Sequence, residues 1–379
     1  MKAMAEHEGH ILGRTAELLA GIQEAAGAPV AAIFKYGGYG DFMALACLAK
    51  AVSRHWQGKL HPVIVTTLTG GTPDIDLSAA LTGWDGDVVR IPVVDMWLTL
   101  RMLRKLCPVV YHMPGYAVKR YTQENFDDEG QRASDEALKP LADFYFDFPE
   151  ANNRLRIEQF RAMSLSSGLD VRIEDMPVSL RMPAIEPGKA TMSMARENAW
   201  KSLERAAVRG SRYAVIHNHP GGGGRTKTMP PETMQAIVEV LGEHGLRAVQ
   251  IGRKGEPKVT GKPRVIDRRG YRWPVQCWLI SKAELYIGCE GGLAYPACAL
   301  DVPALIGFCS TPAEVFRKPN EVPLVPEVRC DPCWWSTGDW WAKCPKGHED
   351  CVNAPTPEEA KEAVHGAVTA ITEAKRDVA

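Results

Sequence analysis

The chain has 379 residues, a formal net charge of −1, 45% hydrophobic residues and 24% charged residues. This length exceeds that of one ordinary hydrophobic core, so we expect two domains in a globular protein. The near-neutral charge gives no electrostatic support for nucleic-acid binding. No apolar run approaches the roughly 20 residues that cross a bilayer, and the amino-terminal sequence MKAMAEHEGH lacks the apolar centre of a signal peptide. We therefore expect a cytoplasmic protein without a membrane span.

The first part of the chain predicts a helix followed by an α/β domain. Residues 1–27 have apolar side chains at helical spacing and predict an amphipathic leader helix, which packs on the first domain or on another subunit. Residues 28–187 are predicted to form the first domain, which opens with a strand at Val30. The other strands expected there are Pro62–Thr67, Val88–Ile91 and Pro108–His112.

Asp41 is the strongest single candidate for a general base. It follows a glycine-rich turn, at the start of a helix predicted from Phe42, where the helix dipole stabilises an ionised carboxylate. The same position suits an N-cap, because aspartate is a favoured capping residue. The residues alone leave both roles open.

The second part of the chain repeats the alternation of strands and helices. Residues 188–355 are predicted to form the second domain, and residues 356–379 a final helix with Thr356 as its cap. Two such series indicate an α/β protein with two doubly wound domains that face each other across a central cleft. The strands expected in the second domain are Tyr213–Asn218, Arg247–Ile251, Arg264–Asp267, Leu285–Gly288 and Ala304–Phe308.

A glycine-rich loop follows the first strand of the second domain and reads HNHPGGGGRTK from His217 to Lys227. Its glycines allow a ligand to approach the backbone closely, while Arg225 and Lys227 supply positive charge. This favours a phosphate-binding loop over an unspecialised surface loop. His217 and His219 alternate on an extended segment, so we expect them to face opposite sides and to be poor partners for one metal ion.

A second candidate site lies in the stretch LYIGCEGGLAYPACALDVPALIGF, residues 285–308. It predicts a strand, a glycine turn, a short helix and another strand, and open α/β sheets bind ligands at such strand ends. The helix amino terminus after Gly292 is a candidate anion site, because its first N–H groups lack intrahelical partners. Glu290 precedes it and is placed to bind sugar hydroxyls. An ordinary βαβ unit with a tight turn is the alternative.

The ten cysteines are unevenly distributed. Six are scattered in apolar surroundings and are interpreted as reduced core residues. The other four have the spacing of a closed tetrahedral thiolate site for zinc or iron, with His348 as an alternative ligand. Two disulfides or metal-free thiols are the competing interpretation. A site with four protein ligands leaves no open position for catalysis, so we expect a role in structure or assembly. The four are Cys330, Cys333, Cys344 and Cys351.

Taken together, these stretches resemble the ADP-heptose heptosyltransferases of glycosyltransferase family nine. The first motif of that family, an aspartate after a glycine ahead of a helix, is matched by Gly40-Asp41. The middle motif, a lysine ahead of a helix start that contains proline, is matched by Lys227. The donor motif, usually DTGLxHxxxAL, is matched from Glu290 onwards, with Glu290 and Tyr295 in place of the usual aspartate and histidine.

This resemblance implies a GT-B fold of two Rossmann-like domains. It also implies inverting transfer of a heptose from a nucleotide-sugar, ADP-heptose in the first instance, to a hydroxyl of a protein or glycan. Asp41 would then be the base and Lys227 the group that stabilises the leaving nucleoside diphosphate, with no metal ion in the chemistry. The residues expected to bind the donor are Arg225, Thr226, Glu290, Gly291, Gly292 and Leu293.

The four-cysteine loop and the EGG form of the donor motif are most similar to the autotransporter heptosyltransferase branch. Members of that branch modify protein serines, carry an iron-binding cysteine finger and assemble as large oligomers. The resemblance therefore implies Fe3+ at the cysteine finger, residues 330–351, with zinc as the alternative, and a homo-oligomer. Two other functions stay open: a GT-B enzyme that uses a UDP-sugar, and a non-catalytic assembly protein built on the finger.

Overall fold

The structure is a computed structural model that divides into two compact units, Met1–Pro177 and Val178–Ala379. The residues that the structure describes are 2–37, 39–68, 84–91, 96–113, 118–122, 160, 163–164, 167–172, 175, 212–220, 224–271, 273–327, 331–334 and 342–378.

The first unit contains a five-stranded sheet flanked by helices. Its described elements are α1 (Lys2–Ala26), β1 (Val30–Gly37), α2 (Tyr39–Trp56), β2 (His61–Leu68), β3 (Val88–Arg90), α3 (Met96–Leu106), β4 (Val109–His112) and β5 (Lys119–Thr122). The strand order is β3-β2-β1-β4-β5, in which only β5 is antiparallel to its neighbour. The winding direction reverses between β1 and β4. Such a switch point is where open α/β sheets bind ligands.

Residues of β1 form the centre of the first core. The run Val30–Phe34 is fully buried, because parallel strands covered on both faces are apolar throughout rather than alternating. Leu19 of α1 is 3% exposed and belongs to the same cluster of side chains, together with Leu103 of α3. The leader helix therefore packs on the first unit, one of the two positions that its sequence allows.

The second unit contains a six-stranded sheet in which every described strand pair is parallel. Its elements are β6 (Tyr213–His217), α4 (Pro231–Glu243), β7 (Arg247–Gln250), β8 (Ile266–Asp267), α5 (Trp273–Ser281), β9 (Leu285–Cys289), α6 (Ala294–Ala299), β10 (Ala304–Gly307), α7 (Ala313–Phe316), β11 (Glu321–Leu324) and α8 (Pro357–Val378). The order β11-β10-β9-β6-β7-β8 places the switch point between β6 and β9. The alternation of strands and helices in both units confirms the predicted α/β class.

The final helix belongs to the core of the second unit. Ala360 and Val364 of α8 are fully buried in the same cluster as Ile237 of α4. The backbone N–H of Glu359 donates to Thr356 Oγ1 over 3.2 Å, and the N–H of Thr356 donates to Glu359 Oε2 over 2.6 Å. This reciprocal pair is a capping box and confirms Thr356 as the cap.

Two short edge strands were not expected from the sequence. β5 has the sequence KRYT, and β11 has the sequence EVPL with a proline inside it. Charged residues and proline are usual at sheet edges and weaken the strand pattern there. Among the described helices, none has the length and apolar character needed to cross a membrane.

Candidate active site

Loops from β6, β9 and β10 meet at one edge of the second sheet. The loop after β6 contains a short 3-10 turn, Arg225–Lys227, and β9 is followed directly by Glu290. β6 and β9 are neighbours, with His217 paired to Gly288 at their carboxyl ends. The two stretches singled out in the sequence therefore lie together at the switch point of this sheet.

Lys227 and Glu290 form an ion pair across this edge, in which Lys227 Nζ donates to Glu290 Oε2. The Glu290 side chain is 6% exposed and the Lys227 side chain 19% exposed. Each ion loses hydration in such a position, and their mutual attraction offsets that cost only in part. Since the ammonium group stays partly accessible, an anionic ligand can replace the carboxylate as its partner.

Local hydrogen bonds fix the turn that carries Lys227. The Lys227 N–H donates to Gly224 O over 2.9 Å, and Thr228 Oγ1 donates to the same oxygen over 2.8 Å. A Cβ at Gly224 would lie 1.7 Å from Cγ of Pro220, so only glycine fits there. Gly224 is thus required by the structure of the loop. Gly221, Gly222 and Gly223 lie outside the described residues.

The two residues that precede Lys227 in the turn, Arg225 and Thr226, both have side-chain partners in the protein. Thr226 is 1% exposed, and its Oγ1 accepts a hydrogen bond of 2.9 Å from Ser310 Oγ. Arg225 forms an ion pair of 2.5 Å with Glu349, with 61% of its side chain exposed. The Thr226 side chain therefore supports the turn. Donor binding by Arg225 or Thr226 stays a prediction.

The turn of residues 290–293 is held to the sheet by backbone hydrogen bonds. The Glu290 N–H donates to Gly307 O over 3.1 Å, and the Ala294 N–H donates to Gly291 O over 3.1 Å. The helix that follows, α6, has only six residues. Few peptide dipoles align in so short a helix, so Lys227 is a stronger source of positive charge here than the predicted helix terminus. Gly291, Gly292 and Leu293 are half-buried beside it.

Tyr295 of α6 has an unusual buried partner. Its ring is 3% exposed, and Lys318 Nζ lies 4.2 Å from the ring centroid in a cation–π contact. The same ammonium group lies 3.1 Å from the Glu321 carboxylate. Tyr295 thus packs on the buried ion pair of Lys318 and Glu321.

Glu256, in the loop after β7, is a candidate functional residue that the sequence patterns did not identify. It is 8% exposed, with His217 Nε2 at 3.3 Å and His219 Nδ1 at 3.8 Å. Burial raises the pKa of Glu256, but hydrogen bonds from His217 and the Arg253 backbone, with the charges of His217 and His219, together outweigh burial and hold the pKa below its ordinary value. A Cβ at Gly252, whose φ is +126°, would meet Glu256 Oε2 at 2.0 Å.

The expected opposite orientation of His217 and His219 is wrong. Both rings contact the same carboxylate, that of Glu256. β6 ends at His217, so the alternation of a strand no longer governs the direction of His219. The sequence did not indicate this contact, because it depends on β6 and β7 being neighbours in the sheet.

Three of the four finger cysteines lie around one small cavity. Cys333, Cys344 and Cys351 are buried and line a space of about 10 Å³, together with Cys309. Cys330 lies outside the described residues, as do Trp335, Trp340 and Trp341. Within the described part of the chain, no group of three or more His, Cys, Asp or Glu residues is arranged as a metal site.

The surroundings of Cys344 suit a thiolate. Burial raises the pKa of the Cys344 thiol, but backbone hydrogen bonds from Glu349, Lys346, Gly347 and His348 outweigh burial and lower it. The thiolate is the form of cysteine that binds metal ions. The cysteine ligands and the cavity that they share therefore fit an iron or zinc ion bound by thiolates.

Asp41 follows the strand at the switch point of the first sheet, as the Lys227 loop follows β6 at the switch point of the second sheet. α2 begins at Tyr39, so Asp41 is in the first turn of the helix that follows β1, at the switch point of that sheet. Its side chain lies outside the described residues. Its role as a base stays a prediction.

No protein-family model matches the sequence, and no curated protein matches it. Solved structures do match the fold. The iron-containing dodecameric glycosyltransferase TibC from enterotoxigenic E. coli H10407 is 16% identical, with a TM-score of 0.58 over 92% of this chain and 77% of that chain. A second structure of TibC is a complex with ADP-D-beta-D-heptose.

Two further structures are similar over nearly their whole length. The glycosyl transferase family 9 protein from Veillonella parvula is 10% identical, with a TM-score of 0.55 over 90% of this chain and 97% of that chain. The E. coli ADP-heptose LPS heptosyltransferase II is 13% identical, with a TM-score of 0.50 over 92% and 99%. These likenesses show the fold, which is α/β of GT-B type as predicted.

Proposed function

We propose that this protein is an inverting glycosyltransferase that moves a heptose or related sugar from a nucleotide-sugar, ADP-heptose in the first instance, to a hydroxyl of a protein or glycan. The observation that carries the proposal is the Lys227–Glu290 ion pair at the switch point of the second sheet. The GT-B fold and its likeness to TibC, which binds ADP-D-beta-D-heptose, support the choice of donor.

Lys227 is the proposed anion-binding group. When a donor binds, its diphosphate takes the place of the Glu290 carboxylate beside Lys227 Nζ. Negative charge grows on the diphosphate as the bond to the anomeric carbon breaks, and a positive group fixed beside it stabilises that transition state. Glu290, released from Lys227, then accepts hydrogen bonds from hydroxyls of the donor sugar. The ion pair with Lys227 and the proposed sugar contact are thus two alternative interactions of the Glu290 carboxylate.

Asp41 is the proposed general base. It takes the proton of the acceptor hydroxyl as that oxygen attacks the anomeric carbon, while the nucleoside diphosphate leaves from the opposite face. One bond to the sugar forms as the other breaks, which inverts the anomeric centre. Leaving-group stabilisation falls to Lys227, so the proposal needs no divalent cation in this step.

Donor binding and the role of Asp41 are tested together. We expect ADP-heptose, but not UDP-sugars, to raise the melting temperature, since only a ligand of the folded state stabilises it. Asp41→Asn is expected to keep this shift and to lose about 10²- to 10⁴-fold in transfer rate. Asp85→Asn, at an exposed position of the first unit, is the control. Stabilisation by neither donor class contradicts the function, and transfer at the parent rate in Asp41→Asn contradicts the base.

We also propose that Cys330, Cys333, Cys344 and Cys351 hold Fe3+, with zinc as the alternative, in a structural site. Elemental analysis of the purified protein should find about one metal ion per chain. Cys344→Ser is expected to lose most of that metal and to lower the melting temperature. Cys107→Ala, which changes a buried cysteine of the first unit, should leave the metal content unchanged. Equal metal content in both variants contradicts the ligand set.

The iron-containing TibC is dodecameric. On that likeness we propose that this chain is also a homo-oligomer. Sedimentation velocity of the purified chain tests this directly, and a monomer at micromolar concentration contradicts it.

A further inference from the structure

The turn that carries Lys227 is bonded to the cysteine finger through one buried residue, Ser310. Ser310 follows β10 and is fully buried. Its N–H donates to Thr226 O over 3.2 Å, and its Oγ donates to Thr226 Oγ1 over 2.9 Å. Its own carbonyl oxygen accepts a hydrogen bond of 3.1 Å from the N–H of Trp334. Thr226 directly precedes Lys227, and Trp334 directly follows Cys333.

The same peptide segment reaches the cavity between the cysteines. Cys309, which precedes Ser310, lines that cavity with Cys333, Cys344 and Cys351. Its thiol donates to Ala354 O over 3.7 Å. A movement of the finger that displaced Cys309 would therefore also displace Ser310, because the two residues share one peptide bond.

A second connection joins the far half of the finger to the same turn. Glu349 lies between Cys344 and Cys351, and its carboxylate pairs with Arg225 over 2.5 Å. Arg225 is the first residue of the turn and Lys227 the last. Trp334 is fixed independently, because its ring packs edge-on against Phe316 with centroids 4.9 Å apart. The part of the finger that contains Glu349 thus contacts the turn directly, and the part that contains Trp334 contacts it through Ser310. Neither connection involves the Lys227 side chain.

We propose that Ser310 is a positioning residue that transmits the state of the cysteine finger to Lys227, so that metal binding and donor binding are coupled. The proposal rests on the donor site and the metal site proposed above. The finger in its metal-bound arrangement holds Ser310, Ser310 holds Thr226, and the turn then presents the Lys227 ammonium group to a diphosphate. Coupling of this kind is reciprocal: a metal ion that tightens donor binding is itself bound more tightly when donor is present, by the same factor.

The first test measures ADP affinity by calorimetry with the full-length protein. Ser310→Ala removes the side-chain hydrogen bond, and we expect it to raise the Kd for ADP about threefold to tenfold, the range reached when the free energy of one buried hydrogen bond is lost from binding through the position of the turn. Thr226→Val should have the same effect, and the double variant should be no worse than either single one, since both act through one bond. Ser281→Ala is the matched control, because Ser281 donates to Trp278 O within α5.

The second test measures the coupling from the metal side. Competition with a chelator gives the affinity for the metal with and without saturating ADP. In the parent, ADP should raise that affinity, and in Ser310→Ala the increase should shrink. Glu349→Gln, a substitution at a half-buried position outside the hydrophobic core, should also weaken the coupling, whereas Glu362→Gln on α8 should not.

The outcomes separate this inference from the proposals on which it rests. A parent that binds no ADP contradicts the proposed function itself. A parent that binds ADP but holds no metal overturns the coupling. So does an equal Kd for ADP in the parent, Ser310→Ala and Glu349→Gln, whether or not the chelated protein stays folded.

Discussion

Lys227→Met is expected to lower kcat/KM for sugar transfer by about 10²- to 10³-fold, comparable to the loss of one preorganised charge-stabilising group in other enzymes. The substitution keeps the length of the side chain and removes its positive charge from the edge where β6 and β9 end. Single-turnover transfer from ADP-heptose measures the effect without interference from product release. Lys282→Met changes an exposed lysine of the same unit and should keep the parent rate.

The same substitution leaves Glu290 buried without the ammonium partner, so stability has to be separated from catalysis. Truncation of one partner of a buried pair destabilises a protein because the other charge stays desolvated. The double variant Lys227→Met/Glu290→Gln should regain the melting temperature of the parent but not its activity. Transfer at the parent rate in either variant would remove Lys227 from the mechanism.

The largest expected effect on stability is at Lys318. Its side chain is 1% exposed and lies 3.1 Å from Glu321, whose side chain is fully buried. Burial lowers the pKa of Lys318, but the charges of Glu321, Tyr295 and Glu290 and the hydrogen bond to Glu321 together outweigh burial and raise the pKa above its ordinary value. Burial also raises the pKa of Glu321, and Lys318 only partly offsets that rise. Lys318→Met is expected to reduce the free energy of unfolding by about 3 to 5 kcal/mol, the usual cost of an orphaned buried charge.

Urea unfolding of the second unit measures this loss. Lys318→Met/Glu321→Gln is the matched control, because it removes both charges and should recover most of the stability. The Glu321 carboxylate also accepts a hydrogen bond of 2.8 Å from the Lys318 N–H, which glutamine keeps with its side-chain oxygen. A loss below about 1 kcal/mol in the single variant would mean that water or a neighbour compensates the carboxylate.

Strands with a continuous apolar run were predictable to within one residue. Tyr213–His217 and Ala304–Gly307 each end one residue before the predicted bound, because their buried apolar runs lie between clear turn signals. β11 was missed, since Pro323 interrupts a run of only four residues. α2 begins earlier than predicted, at Tyr39, so Asp41 lies inside the helix rather than at its cap.

The candidate site was predictable as separate parts but not as an arrangement. Lys227 and Glu290 were each singled out from a glycine turn, but their contact depends on β6 and β9 being neighbours. The two residues are 63 positions apart in the sequence, and this separation does not indicate that the two strands are neighbours. Ser310 and Glu256 gave no signal at all, because a serine or a glutamate in a loop is ordinary until the strand order places it beside a particular turn.

On the proposed function, the Glu290 carboxylate that pairs with Lys227 competes with the donor diphosphate for the ammonium group. An anion binds to Lys227 only if it interacts with the ammonium group more favourably than the Glu290 carboxylate does. Singly charged ions such as chloride or acetate are therefore expected to bind weakly, whereas a diphosphate has more negative charge and more acceptor oxygens. The competition also acts in the other direction. In the proposed reaction, Glu290 would pair with Lys227 again as the nucleotide leaves, and this competition would favour release of the product.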